Sequence, residues 1–215
     1  MKYARELPKT DKELSVRLLN QGWKRLREPG GLLTAVLLSI PFMILNGVIS
    51  WFLFLRSHMP LIIVTNGNTL NINLDFNIIA ALLIVLFIVL FHEFCHLVFI
   101  PDFIKSEKTY WGIGYMGGFV FTEEELSKSR FIMISLAPFI VISVIIPVIL
   151  GLLGLLNSLI SFAAFINAQG ASVDLLTLTL VAFQVPSNAR IISNGSETFY
   201  KPQTEELINL IPDGG

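Results

Sequence analysis

The chain has 215 residues, 53% of them hydrophobic and 14% charged, with a mean hydropathy of +0.70. The formal net charge is −1, and no basic patch is interleaved with aromatics, which excludes a nucleic-acid partner. A single cysteine, Cys95, excludes an internal disulfide framework, and the apolar excess belongs to a protein built for lipid.

Residues 1–30 carry Lys2, Arg5, Lys9, Lys12, Arg17, Lys24, Arg25 and Arg27, interleaved with Glu6, Asp11, Glu13 and Glu28. This pattern predicts a cytosolic, basic, amphipathic helical arm lying against the membrane surface. Four apolar stretches follow, at 31–55, 77–100, 131–156 and 158–185. Each can cross a hydrocarbon core of about 30 Å, which takes about 20 helical residues. The first is too long for a signal peptide and is expected to remain as an anchor. A membrane domain over 31–185 and a C-terminal tail over 186–215 complete the division.

Orientation comes from the loops. The first carries only Arg56, the second carries Lys105, Lys108, Lys128 and Arg130, and the third carries no basic residue. Both termini are therefore expected in the cytosol, and the chain in the cell membrane as a multi-pass protein. Two loops have hairpin signatures, one over 61–75 around Asn66-Gly67 and one around Asn194-Gly195. Thr122 and Glu125 match a capping box and predict a short helix leading to Arg130. Pro138, Pro147, Gly151 and Gly154 predict bends or close packing in the third stretch. Trp51, Trp111 and Tyr115 fit an interfacial belt. The expected fold class is thus an all-α multi-pass membrane protein, with about four transmembrane helices and short β-hairpin elements in the loops.

Away from the ends of the four stretches, only four ionisable side chains remain: His92, Glu93, His96 and Asp174. A charge at bilayer depth costs about 2.5–3.5 kcal/mol on insertion scales, so such groups face one another, water or a metal. Three of them form one motif, His92-Glu93-Phe94-Cys95-His96, an HExxH sequence. On a helix, residues i and i+4 share a face roughly 6 Å apart, so two imidazoles can converge on one zinc ion. Glu93 follows the first ligand and can reach a water on the metal rather than the metal itself, which suits a general base for peptide hydrolysis. With its last residue toward the cytosol, this helix would hold the metal nearer the cytosolic face.

A catalytic zinc takes a third protein ligand and leaves one position open. Asp174 is the leading candidate, just after the polar, small-residue run Asn167 to Ser172, which can interrupt a helix and line a cavity. Glu123, Glu124 and Glu125 compete for the role, 27 to 29 residues beyond His96, although an acidic first helical turn explains them as well. The aromatic, glycine-rich stretch from Trp111 to Phe121 can offer a strand edge for an extended substrate.

The HEFCH helix, the polar run from Asn167 to Asp174 and the four spans resemble the zincin peptidase family of small bacterial membrane proteins and, more distantly, the site-2 proteases. The resemblance covers roughly residues 20–185. It implies zinc bound by His92, His96 and Asp174, Glu93 as general base, Asn167 on the substrate or oxyanion side, and cleavage of membrane or membrane-proximal peptide substrates within the lipid bilayer. The alternative is a non-catalytic membrane scaffold or small transporter with a structural metal or an ion relay. Glu93 separates the two, because a structural site has no use for an acid beside its ligand.

Overall fold

The computed structural model describes residues 1–203 apart from 60, 67–68, 75 and 115–116, with the backbone alone for 61–66 and 69–74. Tyr115 and the Gly67 turn position lie outside the described residues. Among the described residues, three helices are long and apolar enough to cross a membrane: Ile78–Val98, Lys128–Leu152 and Ser158–Gln184. A fourth crossing is present if the bent pair Leu32–Leu38 and Ile40–Leu55 counts as one span. The chain is a multi-pass helical membrane protein.

The first stretch is not one straight helix. It divides at Ser39 into α2 (Leu32–Leu38) and α3 (Ile40–Ser50), which a wide-turn segment continues to Leu55, with 50° between the two parts. Pro41 lies just inside α3, where its missing N–H and its ring prevent the helical bond back to the preceding turn. The second span is α4 (Ile78–Val98), capped by Asn77, whose side chain accepts from the Ile79 and Ala80 amides. One face of α4, with Leu82, Leu83, Leu86 and Phe87, is exposed as a lipid-facing surface must be, whereas Ile88 and Cys95 pack against Ala137, Ile142 and Ala163.

The third span begins with α5 (Lys128–Pro138), widens into π-type turns over Phe139–Ile145 and ends as α6 (Ile146–Leu152). The fourth comprises α7 (Ser158–Gly170) and α8 (Ser172–Gln184), interrupted only at Ala171. Asn46 on α3 ties that interruption into the bundle by donating to the Ala168 carbonyl and the Ser172 hydroxyl.

The β structure is more than isolated loop hairpins. The hairpin of β3 (Leu61–Asn66) and β4 (Thr69–Leu74) stands alone, but the others join the arm in two sheets. In the first, β1 (Lys2–Tyr3) pairs in parallel with β5 (Thr109–Gly114), which pairs antiparallel with β6 (Gly117–Thr122). In the second, β2 (Lys24–Arg25), β9 (Glu197–Pro202), β8 (Ala189–Asn194) and β7 (Leu126–Ser127) are neighbours in that order. The arm is thus helical only in α1 (Lys12–Asn20), and its strands pair with the second loop and the tail.

The short helix expected after Thr122 is absent. Leu126 and Ser127 stay extended because they pair with Ile191 and Arg190, and Ser127 caps α5 by accepting from the Arg130 amide. Behind the second sheet, Leu26, Val181, Val185, Ala189 and Ile191 form a buried core that locks the end of α8.

The turn between β8 and β9 also anchors the arm. Gly195 has φ +56°, and a Cβ there would overlap the backbone nitrogen of Thr10. Asn194, buried, accepts from the Asp11 amide and donates to the Asp11 carbonyl and the Ser15 hydroxyl. Gly195→Ala is expected to lose about 1–2 kcal/mol from the backbone conformation alone. Thermal unfolding in detergent, together with faster tryptic cleavage at Lys9 and Lys12, will register that loss and the displaced arm.

Candidate metal centre

Helical geometry alone puts His92 and His96 on one face of α4, with ring centroids 4.9 Å apart and planes at 77°. Their Nε2 atoms are 3.2 Å apart. Asp174, in the first turn of α8, brings Oδ2 to 3.2 Å from His92 Nε2 and Oδ1 to 3.7 Å from His96 Nε2. One ligand atom from each of the three lies within 4.8 Å of the others.

The hydrogen-bond network dictates where the imidazole protons sit. Asn167 donates through Nδ2 to the Pro138 carbonyl at 3.1 Å and to Ser143 Oγ at 2.8 Å. Ser143 donates its own proton to the Ala164 carbonyl, so its oxygen is left to accept. Asn167 Oδ1 therefore faces His92 Nδ1 at 2.9 Å as an acceptor, and His92 carries its proton on Nδ1. His96 Nδ1 lies 2.9 Å from the Ile134 carbonyl, which can only accept, so His96 is protonated on Nδ1 too. Both Nε2 lone pairs then point at each other and at a carboxylate.

Such a convergence of electron pairs fits a cation. Ligands placed on a tetrahedron about 2.0–2.1 Å from zinc stand about 3.3 Å apart, close to the separations here. The partners on Nδ1 are of the kind that orient metal-binding histidines. Among the described residues, His92, His96 and Asp174 form the group that could hold a metal.

The glutamate triplet lies elsewhere, with partners of its own. Glu124 accepts from the Ser106 hydroxyl, the Tyr110 hydroxyl donates to Glu123, and Glu125 stands 3.9 Å from Arg190. Asn167 lines the same cavity as the histidines, but its amide is buried and engaged behind His92. The resemblance implied a substrate-side or oxyanion-side position for Asn167; here its amide is engaged with His92, Pro138 and Ser143.

Glu93 faces the metal side and also the β6 strand. A cavity of about 560 Å³ contains His92, Glu93, His96 and Asp174, and Leu7, Leu32 and Gly118 to Val120 contribute to its wall. Gly118 allows this close packing, because a Cβ there would come within 2.8 Å of Glu93 Cγ.

Among the described residues, no strand pairs with the β6 edge facing Glu93. The Glu123 amide bonds the Lys108 carbonyl, and the Trp111 carbonyl accepts from Ala4 on the opposite side of β5. With Trp111 opposite Val120 in register, alternation along an antiparallel pair turns the backbone groups of Gly118 and Val120 away from β5. Ser143 and Ile134 had no signal in the sequence, and Gly118 was marked only as part of the glycine-rich stretch from Trp111 to Phe121. Ser143 is one hydroxyl in an apolar run, and a carbonyl has no residue identity to read.

The architecture defines a class: a multi-pass membrane protein with a His-His-Asp set that could hold a metal. Residues 84–190 match the model of the family described as "Putative zincin peptidase", and the ligand cluster lies inside the matched segment. The chain belongs to that family. Comparison with curated proteins and with solved structures gave no match.

Asn167→Ala is expected to leave His92 Nδ1 without its acceptor and to weaken metal binding about 10- to 100-fold, the usual range for such partners. Competition with a chromophoric chelator will measure it.

Proposed function

We propose that the chain is a zinc-dependent, membrane-embedded metallopeptidase that hydrolyses peptide bonds of membrane or membrane-proximal substrates. The observation that carries the proposal is the convergence of two Nδ1-protonated imidazoles and Asp174, with Glu93 beside them against an unpaired strand edge. His92, His96 and Asp174 are the proposed ligands. Zinc held there supplies a Lewis acid that polarises the scissile carbonyl and acidifies a water.

The remaining work falls to the protein. Glu93 accepts a proton from the attacking water on its carboxylate and returns it to the leaving amine nitrogen. Asn167 is assigned the task of holding the His92 ring rather than touching substrate. A helical substrate hides its carbonyls in its own hydrogen bonds, so it must be extended before attack. The outward backbone groups of Gly118 and Val120 are suited to pair with such a segment along the cavity. Both termini are assigned to the cytosol, which puts the two sheets and the cavity mouth on that side.

Glu93→Gln is expected to keep one metal ion per chain and to abolish peptide cleavage, because it removes the proton acceptor and no ligand. Asp174→Ala is expected to lose the metal, whereas Glu123→Ala, Glu124→Ala and Glu125→Ala keep it. Metal analysis of detergent-purified, folded variants alongside a cleavage assay checks both statements. Parental turnover by Glu93→Gln would sink the peptidase reading.

A second test addresses the strand edge. The amide of Val120 points out of the sheet, so a proline there removes an edge donor without breaking the ladder to β5. Val120→Pro is expected to cut cleavage at least about tenfold, the worth of one lost edge hydrogen bond, while metal content stays at the parental level. Unchanged turnover would make the stretch a connector only.

A further inference from the structure

We propose that Pro138 is a positioning residue for the metal site: by withholding a backbone N–H from the Ile134 carbonyl, it keeps that carbonyl available to orient His96. The inference rests on the metal-site reading above. In a regular α-helix the carbonyl of residue 134 accepts from the N–H of residue 138. Proline has no N–H, and its ring presses on the carbonyl four residues back. The neighbouring donor, the Phe139 amide, bonds the Leu136 carbonyl instead. The Ile134 carbonyl thus lacks its helical donor inside a membrane-embedded bundle, where water is not at hand to replace it. The donor it receives is His96 Nδ1, at 2.9 Å.

The same break serves the other histidine. The Pro138 carbonyl accepts from Asn167 Nδ2 at 3.1 Å, and Asn167 Oδ1 faces His92 Nδ1. The wide turns of Phe139–Ile145 begin directly after the proline and include Ser143, the second acceptor for Asn167. Both imidazoles are therefore oriented from one interruption in the third span. Pro138 is fully buried and is not among the residues lining the cavity, so its effect on the metal is indirect.

A purely structural proline and a positioning proline predict opposite outcomes. Pro138→Ala restores an N–H that competes with His96 for the Ile134 carbonyl, while removing a residue that ordinarily weakens a helix. The experiment loads detergent-purified protein with cobalt(II), records its visible absorption, and measures affinity by chelator competition beside thermal unfolding of the metal-free form. The expected result is at least about tenfold weaker metal binding and altered cobalt bands, with an unfolding temperature equal to or above the parent's.

Pro147→Ala removes the other proline of the same span without supplying a donor to Ile134, and it should keep parental affinity and spectrum. The proposal is overturned if Pro138→Ala retains the parental affinity and bands, or if Pro147→Ala weakens binding equally. Should Pro138→Ala not fold, nitrogen-15 spectra of histidine-labelled, metal-free parent decide the matter: His96 protonated on Nδ1 supports the proposal, and protonation on Nε2 overturns it. A parent chain that takes up no cobalt defeats the metal-site reading itself, whereas normal uptake by parent and Pro138→Ala alike defeats only the role of the proline.

Discussion

Two imidazole N–H groups, each given to a fixed acceptor, govern the arrangement of the bundle around the site. His92 Nδ1 goes to Asn167 and His96 Nδ1 to the Ile134 carbonyl, which leaves both Nε2 atoms facing Asp174. In lipid a polar group left without a partner is expensive, so these bonds bind α4 to α5 and α7 as well as fixing the tautomers. The chain of donors continues from Asn167 through Ser143 to the Ala164 carbonyl, and each member has a defined direction. Turning the Asn167 amide over would present an N–H to His92 Nδ1 and move the ring proton to Nε2, where a cation would need a lone pair.

The extramembrane parts are built onto this centre rather than appended to it. The β5–β6 hairpin lies against α4, and its free edge runs past Glu93. The arm supplies β1 to that sheet and β2 to the other, and between them Leu7 reaches the cavity wall. Leu32 of α2 adds another part of the wall from outside the segment that matches the family model. Asn46, also outside it, holds the α7–α8 junction between Asn167 and Asp174. The site thus draws on the first stretch and the arm even though its ionisable residues all fall within 84–190.

Much of the helical framework was legible because its signals are local. Runs such as that of α4 are long, apolar and capped by Asn77, and Asn194-Gly195 marks a tight turn wherever it occurs between strands. The HExxH pattern is legible for the same reason, since a four-residue helical step brings two rings together without help from the rest of the chain. The short helix expected from Thr122 and Glu125 failed because Leu126 and Ser127 pair with Ile191 and Arg190, far along the chain, which no local window contains. The bend at Ser39 was missed although Pro41 follows it, because the hydropathy of residues 31–55 is uniform across the break.

The sequence by itself determined that the chain lives in a membrane, where its long helices lie, and that His92 and His96 share one face with Glu93 next to the first of them. Those properties depend on composition and on helical periodicity, which act over a few turns. Only the tertiary structure brought Asp174, and not the glutamates at 123–125, beside the two histidines, set Asn167 Oδ1 against His92 Nδ1, and laid β6 along the cavity that holds Glu93. Those choices depend on which hydrogen-bond acceptor meets which donor across separate helices and strands. The acceptor for His96 is a backbone carbonyl 38 residues away, a group every residue possesses and no sequence pattern distinguishes.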